Sequence, residues 1–206
     1  MSPGALYMQA STATADEILH SAIQAVERGG DDLFSALDAL QAPIYVTDPN
    51  GVITHFNQAC IGFAGRTPAV GKDRWCVTWK LYTDEGEFLP HDQCPMAVAI
   101  QKKHPVRGVT AVAERPDGTR VNFMPFPTPL LGDSGELLGA INMLIDVTDA
   151  RQIDELRSQA SRSRRLAASV GDQRTADTLN LMAAEYEAKA AELEKSSPSH
   201  RLGVKL

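Results

Sequence analysis

The chain has 206 residues, with 20 basic and 26 acidic side chains and a formal net charge of -6. Hydrophobic residues make up 43% and charged residues 22%, a globular composition that excludes a chain disordered throughout. No apolar run is long enough for a membrane helix, and the first residues lack the basic and apolar regions of a signal peptide. Three scattered cysteines, Cys60, Cys76 and Cys94, make no disulfide framework, so a cytoplasmic protein is expected. An acidic chain is a poor general binder of nucleic acid. The charge runs from net -5 over residues 1–40, through -3 over 41–150, to +2 over 151–206. Arg162, Arg164 and Arg165 read as a solvated helix face rather than a phosphate-binding patch.

Residues 1–42 form a first, helical zone. Thr14, Asp16 and Glu17 suit a helix N-terminus, and Ile18, Leu19, Ala22, Ala25 and Val26 follow at helical spacing. Gly29-Gly30 stops that helix. Asp31 can cap a second short one carrying Leu33, Phe34, Leu37 and Leu40, which Pro43 ends.

The second zone is 43–148. Ile44-Tyr45-Val46-Thr47 and Val52-Ile53-Thr54-His55-Phe56 are strand-like, and Asp48-Pro49-Asn50-Gly51 joins them as a hairpin. Short helices are expected at 58–64, at 74–79 and at 95–103, where Pro95 sits in the first turn. Three strand-like runs follow at 106–114, 120–126 and 137–147, separated by the turns Arg115-Pro116-Asp117-Gly118 and Gly132-Asp133-Ser134-Gly135. The expected fold is α+β, a five-stranded antiparallel sheet with short helices on one face.

The third zone, 149–206, is helical. Ile153, Leu156, Ala160, Ser163, Ala167 and Val170 repeat at alternating spacings of three and four, a heptad stripe. The stripe breaks at Gly171-Asp172 and resumes with Leu179, Met182, Ala183, Tyr186, Ala190 and Leu193. Ser196-Ser197-Pro198-Ser199 ends it, and a frayed terminus is expected beyond. The stripe reads as a homodimer seam, with a fold-back hairpin onto 173–194 as the competing arrangement.

The middle zone resembles a PAS domain, the small sensory module of bacterial signalling proteins. The resemblance is carried by Ile44-Tyr45-Val46-Thr47-Asp48-Pro49-Asn50-Gly51-Val52-Ile53 with Asn57, by Arg115-Pro116-Asp117-Gly118-Thr119-Arg120, and by Gly139-Ala140-Ile141-Asn142-Met143-Leu144-Ile145-Asp146-Val147-Thr148. The stretch Leu89-Pro90-His91-Asp92-Gln93-Cys94-Pro95-Met96-Ala97-Val98-Ala99, with Pro125-Phe126-Pro127-Thr128-Pro129-Leu130, is similar to PAS domains of α-proteobacterial sensor histidine kinases. Only 58 residues follow Thr148, too few for an ATP-binding domain, so a sensor without its own kinase is expected.

The resemblance implies a cavity between sheet and helices, helices at both ends that pass a signal on, and pairing through flanking helices. Cavity candidates are Trp75 and Trp79, one helical turn apart on the expected 74–79 helix, with Met96, Ile100, Thr110, Asn122, Met124 and Asn142. For Trp75 and Trp79 the competing reading is plain core packing. Neither Cys60 nor Cys76 stands in the Asn-Cys-Arg-Phe-Leu context of a flavin-binding LOV domain, so flavin is disfavoured. Haem stays open: some PAS domains ligate it by a histidine on the helix before the third strand. His91 and His104 flank that helix here, and Cys94-Pro95 is a thiolate-type pairing. A metal site at His91, Asp92 and Cys94 lacks a second ligand cluster.

The expected function is a non-catalytic sensory protein that binds a small molecule or protein partner. It would act on a separate signalling protein such as a histidine kinase or response regulator. The alternatives are a haem-based gas or redox sensor and a ligand-free dimerisation scaffold. No phosphate-binding loop, nucleophile elbow or metalloprotease motif points to an enzyme. Arg164 to Gly171 resembles half of a helix-turn-helix, but Asp177 stands where the second helix needs an apolar residue, so DNA binding is disfavoured.

Overall fold

The computed structural model describes residues 42–196 and, ahead of them, Glu17, His20, Ala22, Ile23, Ser35 and residues 37–40. Of the expected N-terminal helices, Ala22, Ile23, Leu37 and Asp38 are described and helical. Ile18, Leu19, Ala25, Val26, Leu33, Phe34 and the terminus beyond Ser196 lie outside the described residues.

The elements run β1 (Ile44–Thr47), β2 (Ile53–Phe56), α1 (Gln58–Ala64), β3 (Lys80–Tyr82), a 3₁₀ turn (His91–Gln93), α2 (Pro95–Lys102), β4 (Ala111–Glu114), β5 (Arg120–Pro125), β6 (Thr128–Leu131), β7 (Leu137–Asp146), α3 (Thr148–Ser169) and α4 (Gln173–Ser196). Every strand pairing is antiparallel, in the order β2-β1-β7-β5-β4-β3, with β6 also on β7. β1 lies along one edge of β7; β5 and β6 share the other, opposite 144–146 and 137–141.

The five expected strands are present, and two more join them. β3 has three residues, too short to show a period of two. β6 contains Pro129, which argues against a strand, but β6 pairs only with β7, so a missing N–H on its far edge costs nothing. The first-expected strand of the second group is shorter than its apolar run, starting at Ala111 rather than residue 106. The helix expected at 74–79 does not form. Trp75 takes a positive φ of 70°, its N–H donates to Gly51 O (2.7 Å), and its ring lies where a Cβ on Gly51 would be, at 2.1 Å. Gly51 is itself at φ 78°, so it is required both by the turn and by the indole.

Both faces of the sheet are buried. The inner face packs Tyr45, Val121, Phe123, Ala140 and Leu144 against Cys60 and Phe63 of α1, Val77, and Met96, Ala97 and Ile100 of α2. The outer face packs Ile44, Val46, Met124, Ile141, Met143 and Ile145 against Ala22 and Leu37. Burial on both faces explains why 139–145 reads as a near-continuous apolar run rather than an alternation. Asn57, fully buried, stitches the N-terminal segment to the sheet. Its Oδ1 accepts from Ile44 N (2.9 Å), and its Nδ2 donates to the carbonyls of Leu37 (3.1 Å), Leu40 (3.2 Å) and Ala42 (2.8 Å).

α3 and α4 form an antiparallel hairpin, which decides the open question over 149–195. Ile153, Leu156, Ala160, Ser163 and Ala167 are buried, as are Ala183 and Ala190, with Tyr186 and Leu193 packed beside them. The ion pairs Arg157–Glu194 (2.9 Å) and Arg164–Glu187 (2.7 Å) tie the two helices along one side. The stripe expected to be a dimer seam is therefore covered by its own chain. The second stripe is tethered three residues away, so intramolecular closure is entropically cheap. Asp172 caps α4, accepting from Thr175 N (2.9 Å). Val170 and Met182, expected in the stripe, are 37% and 39% exposed.

Asn57→Ala leaves one buried N–H and three carbonyls without that partner, and should destabilise the fold by about 3 kcal/mol. Urea unfolding at equilibrium checks this.

Candidate ligand and relay site

The eight cavity candidates do not share one space. Met96 and Ile100 sit in the inner core, and Trp75 packs at its margin. Asn142 is also inner, on the face of Ala140 and Leu144. Asn122 alternates with the inner Val121 and Phe123 and so faces the other way. Its backbone N–H donates to Thr148 Oγ1 (3.0 Å). Met124 belongs to the outer cluster. Trp79 is 52% exposed and does not line the core, because the turn of helix meant to bring it beside Trp75 is absent. Thr110 precedes β4 and contacts α3, as described below.

The inner face holds a buried polar chain. Asn142 Nδ2 donates to Tyr45 Oη (2.9 Å), and Tyr45 Oη donates to Trp75 O (2.8 Å). Asn142 Oδ1 accepts from Phe126 N (2.9 Å), where β5 gives way to β6. Thr78 Oγ1 donates to Cys76 Sγ (3.2 Å) beside the same phenol. Burial holds Tyr45 well above the usual phenol range, so it stays a neutral donor.

The haem candidates do not converge. Cys94 is buried at the N-terminus of α2, its Sγ 3.9 Å from Trp75 O, and burial pushes its thiol up to about 12. A sealed, protonated thiol within a packed core does not suit thiolate ligation. His104 is exposed beyond the end of α2, while His91 is partly buried in the 3₁₀ turn. These residues do not fit an axial-ligand set.

The larger cleft lies outside the core. It is a groove of about 580 Å³ between the sheet and the start of α3, lined by Gly108, Thr110, Met124, Arg151, Asp154 and Glu155. Next to it Arg151, on the first turn of α3, pairs with Asp84 and donates to Thr110 Oγ1 (3.0 Å). Thr110 Oγ1 in turn donates to Asp84. The sequence reading missed this clasp because Asp84 and Arg151 are 67 residues apart and each is ordinary in its own context. β7 enters α3 almost directly, with Asp146 Oδ1 accepting from Thr148 N (2.9 Å).

A family model for the PAS fold matches residues 37–152. The chain belongs to the PAS fold family. A PAS domain is a sensory module of signalling proteins, and here its matched region takes in the sheet, both short helices and the first turn of α3. Among solved structures, the chain is similar to the Rhodobacter sphaeroides LOV protein, at 12% identity and a TM-score of 0.45, covering 85% of this chain and 98% of that one. It is also similar to the PAS domain of the fruit-fly ELK potassium channel, at 14% identity and a TM-score of 0.46, covering 57% and 96%. A PAS domain from Colwellia psychrerythraea matches at 18% identity and a TM-score of 0.38, covering 55% and 92%. No curated protein matches the chain.

Tyr45→Phe removes the hydroxyl that Asn142 and Trp75 O share, and should cost about 1–3 kcal/mol in thermal or urea unfolding. The three buried thiols should not react with a thiol-specific disulfide reagent until the protein unfolds. Cys94 titrates near 12 when folded, against a usual value of 9.0. The folded state then holds its proton where the unfolded state loses it, so stability should be complete below pH 9 and fall between there and 12. Unfolding midpoints across that range test the sign.

Proposed function

We propose that this PAS protein is a non-catalytic sensory module that binds a small molecule or partner and relays the event through the α3–α4 hairpin to a separate signalling protein. The observation that carries this reading is the direct passage of the central strand β7 into α3, with the helix held to the sheet edge through Arg151, Asp84 and Thr110. A change in the sheet therefore has a short mechanical path to the helix, and the clasp gives that helix a contact to lose. A ligand-free scaffold is the second reading, supported by the filled inner core of Tyr45, Phe123, Met96 and Leu144. Among the described residues no helix is long and apolar enough to cross a membrane.

Arg151→Ala should raise hydrogen exchange in the first two turns of α3 by about two- to fivefold, as suits a part-exposed ion pair worth up to about 1 kcal/mol. Exchange in β7 should stay unchanged. Native mass spectrometry of the purified chain then reads any retained small molecule. If its removal leaves α3 exchange unaltered, the relay fails; if nothing is retained and the chain self-associates, the scaffold reading gains.

A further inference from the structure

A smaller cavity of about 170 Å³ opens where the end of α1, the 73–79 segment and the 3₁₀ turn meet, lined by Arg66, Asp73, Arg74, Thr78, Trp79 and His91. Arg66 Nε donates to Val77 O (3.0 Å), and its Nη2 pairs with Asp73. The other guanidinium N–H groups of Arg66 have no protein partner among the described residues. Two guanidinium groups against one carboxylate leave the lining with an excess of positive charge. In the same wall His91 Nε2 is buried with no hydrogen-bond partner. Such an orphan is unfavourable, and a ligand atom placed against it would recover the lost hydrogen bond. Trp79, half-exposed, supplies a flat apolar wall.

The space is small. At about 30 Å³ per water, the space holds roughly six waters, which suits a small organic acid. A guanidinium with free N–H groups matches a carboxylate in shape and charge.

We propose that this cavity binds a small planar carboxylic acid, with its carboxylate on Arg66 and His91 and its body against Trp79. The proposal rests on the sensory reading above and names its ligand class. The 73–79 segment that walls the cavity also carries Trp75, whose carbonyl accepts from Tyr45, which accepts from Asn142 on β7. Occupancy thus touches a chain of hydrogen bonds that reaches Asn142 in β7, the strand that runs on into α3.

The test uses benzoate titrated into the full chain, followed by calorimetry and by the His91 imidazole resonances. His91 starts with its pKa held down by burial and by Arg66, against the upward pull of Asp73 and Asp92. Saturable binding that raises the His91 pKa is expected, with roughly tenfold loss in Arg66→Gln and in Trp79→Ala, and similar loss for uncharged benzamide. Trp79→Ala keeps the test sound if Arg66→Gln misfolds, because Trp79 lies outside the core. Absence of saturation, or affinity untouched by both variants, overturns the site. Hydrogen exchange of residues 148–156 separates the two claims: binding without a change there keeps the site and overturns the relay.

Discussion

The side-chain amide of Asn142 is buried in the middle of β7, and its hydrogen bonds fix much of what surrounds it. One side of the amide holds the Tyr45 phenol on β1, and the other holds the backbone at Phe126, where the strand opposite β7 breaks. An amide in an apolar core costs several kcal/mol unless its partners are in place, so about one arrangement of these strands satisfies it. A one-residue slip of β7 would turn Asn142 to the outer cluster, where nothing receives it, and would turn Ile141 and Met143 inward. The purely apolar contacts of β7 would tolerate such a slip better. The amide supplies register; the hydrophobic residues supply most of the stabilisation.

Through Tyr45 the same network reaches Trp75 O, so an irregular segment is held to the sheet by a buried bond. That segment has little regular backbone bonding of its own. It takes its shape from the sheet, from Gly51 and from the Trp75 ring lying over the turn. Asn57 does the corresponding work on the outer side, gathering three carbonyls from the N-terminal segment onto β1. Two buried amides thus fasten irregular chain to a regular sheet, one on each face.

The C-terminal helices show a different economy. Their seam is mostly alanine with a few larger side chains, so it packs closely while burying little apolar surface per turn. Ion pairs along one flank add modest support. The hairpin's attachment to the sheet runs through the β7–α3 junction, the hydrogen bond from Asn122 N to Thr148, Ala150 against the outer cluster, and the Arg151 clasp.

The sequence by itself determined five of the seven strands, the turns between them, α1, α2 and the break at Gly171-Asp172, because each rests on a local signal: apolar period, turn residues or a cap. Met96, Ile100 and Asn142 were cavity candidates on residue type alone, and the pairing of the sheet and the packing of α2 turned them to the interior. Only the tertiary structure decided the rest. Trp75 left helical geometry because Gly51 offered its ring a seat, which no propensity of residues 74–79 encodes. Asn122 and Met124 faced outward because register is set by pairing across the sheet. The heptad stripe met its own second half rather than another chain, since a stripe states a need for a partner and not which one. Arg66, His91 and Trp79 came to line one cavity, and Asp84 met Arg151, through contacts distant in sequence that no local signal encodes.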